Sequence, residues 1–114
     1  MPLLKIHTNV SVDADGQRGL LTDASSCVAS SLGKPEQYVM VVVEAGQAVM
    51  FAGSEEPAAF IELRSIGLPQ ARTPELSEAL CGLLQGRLGI LPDRVFINFA
   101  DVPRALWGWN NGTF

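Results

Sequence analysis

Two stretches of the chain carry apolar residues at spacings of three and four. In the first, Leu20, Leu21, Ala24, Cys27, Val28 and Leu32 form one stripe of an amphipathic helix. Gly33 follows as a left-handed C-cap, and Pro35 stops any continuation. In the second, Leu76, Leu80, Leu83, Leu84 and Leu88 repeat the stripe. There Thr73 suits the N-cap, Pro74 the first helical position and Gly89 the C-terminal end. Glu75 near the start and Arg87 near the end complement the helix dipole.

The flanking segments read as strands. Residues 38–44 and 58–66 are rich in β-formers, and in 94–101 Val95, Ile97 and Phe99 alternate with Arg94, Phe96 and Asn98. Residues 3–9 complete the set, and a hairpin-like segment near 46–56 joins the two halves. The halves repeat each other: Leu32-Gly33-Lys34-Pro35-Glu36 leads into one strand, and Leu88-Gly89-Ile90-Leu91-Pro92-Asp93 into another. The order β-α-β, β-α-β predicts an α/β fold in one domain, residues 1–114, with a four-stranded sheet and two helices on one face. Each crossover should return its second strand parallel to the first. The run Val39-Met40-Val41-Val42-Val43 is apolar on both faces, so both should be covered. Two helices cover one side only, and a second copy of the chain is the simplest cover for the other.

Composition narrows the function classes. Apolar residues make up 47% of the chain, enough for a packed core. A net charge of −4 with scattered basic residues argues against nucleic-acid binding, which needs clustered Lys and Arg. No apolar run is long enough for a membrane span, and the start Met1-Pro2-Leu3-Leu4-Lys5 has no signal-peptide pattern. A cytoplasmic protein is expected, with non-classical secretion left open. Cys27 and Cys81 agree with a reducing compartment. His7 is the lone histidine and has no cysteine at ligand spacing, so no metal is expected.

Several blocks then point to a family. Met1-Pro2, Gly33-Lys34-Pro35, Phe51-Ala52-Gly53-Ser54, Ser65-Ile66-Gly67, Cys81-Gly82-Leu83-Leu84 and Pro92-Asp93-Arg94-Val95 occur in order. With the tail Gly108-Trp109-Asn110-Asn111-Gly112-Thr113-Phe114, they resemble the macrophage migration inhibitory factor (MIF) family of the tautomerase superfamily over the whole chain. The resemblance implies a homotrimer with active sites at the subunit interfaces, and keto–enol tautomerisation of a phenylpyruvate-like 2-keto acid without a cofactor.

The same resemblance assigns roles. Pro2, exposed as an N-terminal amine once Met1 is removed, would be the general base. An N-terminal amine titrates near ~8 in free peptides, and burial or a nearby cation lowers that. Read alone, Pro2 merely opens a strand. Lys34 would depress the Pro2 pKa and bind the substrate's carboxylate. Ser65 and Ile66 match a strand-end pair whose backbone N–H holds an acid or enolate oxygen. Arg64 beside them is either a second anion contact or an exposed strand arginine.

Phe96 and Asn98 would come from the neighbouring subunit, and Phe96 stands where many members carry tyrosine. Tyr38, Trp107 and Phe114 would line the pocket mouth with Trp109 undecided, and Trp107 replaces a smaller residue. Other expectations attached to the superfamily are dehalogenation or decarboxylation by the same proline, and a cytokine-like trimer that binds a receptor protein. The acidic loop Ser11-Val12-Asp13-Ala14-Asp15 lacks the basic residue of the mammalian cytokine. The family's Cys-x-x-Cys stretch is Ala58-Ala59-Phe60-Ile61 here, which dismisses that redox chemistry. Asn111-Gly112-Thr113 fits a turn better than a glycosylation site.

Overall fold

In the computed structural model, which describes residues 1–114, side-chain alternation sorts each strand into a core face and an open face. Strand β1, Leu3–Thr8, turns Leu4, Ile6 and Thr8 inward, and β3, Ala59–Ser65, does the same with Ala59, Ile61, Leu63 and Ser65. Against this face pack α1, Ala14–Leu32, through Leu20, Ala24, Val28 and Leu32, and α2, Thr73–Leu88, through Leu76, Leu80 and Leu84. Leu21 is 38% exposed and Cys27 half-buried, so both flank the buried stripe rather than fill it.

The sheet runs β2-β1-β3-β4, with β2 spanning Met40–Glu44 and β4 Val95–Asp101. Within each repeat the two strands are parallel, β1 with β2 and β3 with β4, as the crossovers predict. The repeats join through the antiparallel pair β1–β3. No helix is long and apolar enough to cross a membrane.

The helix ends follow the sequence with one exception. Gly33 and Gly89 close α1 and α2 in the left-handed region, at φ 64° and 67°. Asp13 caps α1 by accepting from Gly16 N–H at 2.7 Å. Thr73 does not cap α2: it is the first helical residue, and its hydroxyl donates back to Gln70 C=O at 3.1 Å. The preceding 3-10 turn, Gln70–Arg72, runs into the helix and moves the boundary one residue upstream.

The open face differs from the apolar surface expected from β2. Val41 and Val43 pack on the core, which leaves Met40 and Val42 outside, next to a charged network. Glu62 gathers that network: His7 Nε2 lies 3.3 Å, Lys5 Nζ 4.0 Å and Arg64 Nη2 3.2 Å from its carboxylate. Hydrogen bonds from His7 first, then Arg64, hold the Glu62 carboxyl below its ordinary pKa. His7 Nδ1 also meets Glu44 at 3.0 Å.

Arg94 organises the connection between the repeats. Its guanidinium donates to the carbonyls of Phe51, Ser54, Glu56 and Pro57, at 2.8 to 3.2 Å, and sits 5.1 Å from the Phe51 ring centroid. Phe51 packs on Phe96 with centroids 4.6 Å apart, so the same fork also steadies Phe96. A lysine has neither the fork nor enough donors for four carbonyls. Arg94→Lys is expected to lower stability by about 1–3 kcal/mol, read as a lower urea midpoint at unchanged m-value. An unchanged midpoint would mean that the segment 51–57 holds its shape without Arg94.

Candidate active site

Pro2 directly precedes the inner strand β1, where a proline's missing N–H costs no ladder bond and its carbonyl can still accept. Met40 N–H donates to Pro2 C=O at 3.0 Å, and the Pro2 ring is fully buried. With Met1 attached, the Pro2 nitrogen is a peptide amide and carries no basic lone pair. The amine is then that of Met1, and it lies where two cavities meet.

The larger cavity, about 510 Å³, runs from Met1 and Pro2 past Tyr38 and Arg64 to Trp107, Trp109 and Phe114. The smaller, about 240 Å³, is lined by Met1, Lys34, Pro35, Tyr38, Ile66 and Arg104. Only Met1 and Tyr38 border both.

Local structure explains how these residues converge. Gly67, at φ 68°, turns the chain directly after Ile66, and Lys34 Nζ lies 3.9 Å from where a side chain would begin there. Val102 N–H donates to Ser65 C=O at 2.9 Å, and Asp101 Oδ1 accepts from Leu68 N–H at 3.1 Å. These bonds tie the end of β3 to the end of β4. The short 3-10 turn Arg104–Leu106 follows and carries Arg104 towards Lys34.

The tail closes the other side through the two-residue strands β5, Gly108–Trp109, and β6, Gly112–Thr113. Asn110 and Asn111 take the two positive-φ positions of the turn, as short polar side chains tolerate. Trp109 stacks on Phe114 at 5.2 Å, and Tyr38 meets both rings edge-on at 5.5 and 6.0 Å.

Electrostatics single out the amine. Burial first, then the Lys34 ammonium, then the Arg104 guanidinium, lower the pKa of the Met1 amine from its ordinary 8.0. No Asp or Glu lines either cavity, although the chain holds 12 acidic residues against 8 basic ones.

Of the residues expected at the site, Pro2, Lys34, Tyr38, Ile66, Trp107 and Phe114 border the two cavities. Trp109, left undecided by the sequence, also borders the larger one. Ser65 is fully buried and lines neither, and its hydroxyl donates to Ile66 C=O at 3.2 Å. Phe96 and Asn98 point from the edge strand β4 on the open face, and neither reaches a cavity of its own chain. Arg64 lines the larger cavity while paired with Glu62. Arg104 was not expected. Its one sequence signal, a basic residue after Pro103 at the end of a strand, has no periodicity to mark it.

A four-stranded sheet built from two β-α-β units, with two helices on one face, is the fold of the tautomerase superfamily. Residues 1–114 match the family described as "Macrophage migration inhibitory factor (MIF)", and the chain belongs to that family.

It is 42% identical over 115 residues to macrophage migration inhibitory factor of Meriones unguiculatus, covering 100% of this chain and 99% of that protein. The homologue of Brugia malayi is 39% identical over 116 residues, with 100% and 99% covered. Among solved structures, the macrophage migration inhibitory factor homologue from Prochlorococcus marinus superposes with a TM-score of 0.93. That structure is 46% identical, with 98% of each chain covered.

The charge arrangement makes a direct prediction for the chain that retains Met1. Its α-amine should titrate below 8.0, and Lys34→Met should raise that value by removing a cation that disfavours protonation. The pH dependence of amine acylation measures both. A midpoint unmoved by Lys34→Met would remove Lys34 from the electrostatics of the site.

Proposed function

We propose that the protein, once Met1 is removed, is a keto–enol tautomerase for phenylpyruvate-like 2-keto acids, with the Pro2 amine as general base. The observation that carries this reading is the amine held below its ordinary pKa by burial, Lys34 and Arg104, where an aromatic-lined cavity meets a cationic one. Removal of Met1 takes away a residue that borders both cavities, and leaves a secondary amine on a rigid ring. The influences that lower the Met1 amine would act on the Pro2 amine in the same direction, favouring its neutral, proton-accepting form.

In the forward step the Pro2 nitrogen takes a proton from the carbon next to the keto group. The C–H electron pair moves into the C–C bond, and the carbonyl pair moves onto oxygen to give an enolate. Return of the proton to that oxygen gives the enol, and the reverse sequence ketonises it. Only a proton changes place, so no cofactor or metal is required. Lys34 and the Ile66 backbone hold the acid end, while Tyr38, Trp107 and Phe114 pack the aryl ring.

The working form is a homotrimer in which Phe96 and Asn98 of a neighbouring subunit complete each site. Their exposure on the edge strand β4, with Phe96 64% exposed, supports this assembly. Phe96 supplies ring packing without the hydroxyl of a tyrosine, and Asn98 supplies an amide for a substrate's ring hydroxyl.

A phenylpyruvate tautomerase assay with intact mass recorded on the same sample tests the reading. Processed protein should be active, protein that retains Met1 inactive, and Pro2→Gly at least about 10²-fold lower in kcat/KM at unchanged trimer mass. Full activity in Pro2→Gly, or none in processed wild type, would sink the proline-base mechanism.

A further inference from the structure

Six of the eight basic side chains are engaged within the chain. Lys5, Arg18, Arg64, Arg72 and Arg87 face carboxylates, and Arg94 binds backbone carbonyls. The remaining two, Lys34 and Arg104, make no side-chain hydrogen bond or ion pair and line the same small cavity. Both lie close enough to the amine to act on its charge, and no acidic residue borders that cavity. Two unneutralised cations lining one small cavity repel each other and carry an electrostatic cost, which a bound anion would lower.

We infer that Arg104 is a second anion-binding residue of the site, forming with Lys34 a two-cation cradle for the acid end of the substrate. This rests on the keto-acid reading above and deepens it. A 2-keto acid presents its carboxylate and keto oxygens on adjacent carbons, and loss of the proton turns the pair into a dianion. Lys34 offers a point charge and Arg104 a planar fork, which together match two neighbouring anionic oxygens. The second negative charge develops only as the proton leaves, so Arg104 acts on kcat as well as KM. The cradle also makes the site discriminate acids from neutral ketones of the same shape.

The test pairs a non-reacting ligand with the reaction. Calorimetric titration of the processed protein with 3-phenylpropanoate, and with its methyl ester, reads recognition of the acid end alone. Arg104→Gln is expected to weaken the acid by about tenfold and leave the ester unchanged, with partial recovery in Arg104→Lys. In the phenylpyruvate reaction, Arg104→Gln should lower kcat and shift the acidic limb of the kcat/KM profile to higher pH, because a cation beside the base is gone.

Unchanged affinity for the acid, equal losses for acid and ester, or no binding of the acid by wild type would each overturn the assignment. Wild type that binds the acid through Arg104 but turns over no phenylpyruvate would uphold the cradle and refute the proton-transfer reading.

Discussion

The hydrogen bond from Met40 N–H to Pro2 C=O is the constraint on which the site depends. It begins the parallel β1–β2 ladder, which continues from Leu3 opposite Met40 to His7 opposite Glu44. On the other side β1 pairs with β3, from Leu3 opposite Arg64 to Thr8 opposite Ala59. A strand held on both edges cannot shift alone. A slip of one residue would also turn Leu4 and Ile6, both fully buried, out of the core. Burial of a few aliphatic side chains, each contributing about 1.5–3 kcal/mol, thereby fixes where the Pro2 nitrogen stands.

Charge is distributed so that the cleft differs from the molecule around it. The chain carries a net charge of −4, yet its two unpaired cations both face the amine. Three carboxylates are occupied elsewhere: Glu62 collects Lys5, His7 and Arg64 on the open face, Asp23 holds Arg87 between the helices, and Asp13 caps α1. The local field at the amine is therefore positive, and it favours a neutral base and an anionic ligand together. The two acidic residues at the start of α1 serve the helix: Asp13 caps it, and Asp15 lies in its first turn, 4.0 Å from Arg18.

Much of the fold was legible because it follows from local rules. The spacing of the leucines gave both helices, Gly33 and Gly89 their ends, and β-rich runs the four strands within a residue or two. What depends on cross-strand register was not. Lys5 opposes Glu62, and His7 opposes Glu44, only once β1 lies between β2 and β3. The same limit explains the open face, where β2 alone suggested an apolar surface and its neighbours supplied charges. Pro2, Lys34 and Ile66 were found through family motifs rather than pattern. Arg104 lies in a single 3-10 turn outside those motifs, and its position became visible only when the ends of β3 and β4 were joined.

Titration of the Pro2 nitrogen itself measures the central claim most directly. Processed protein labelled with 15N-proline, followed by NMR across pH, gives the ionisation of that one amine without any substrate. The account predicts a midpoint clearly below the ordinary value near ~8, rising when either Lys34 or Arg104 loses its charge. A midpoint at or above the ordinary value would leave Pro2 protonated at neutral pH, and would contradict its role as the base.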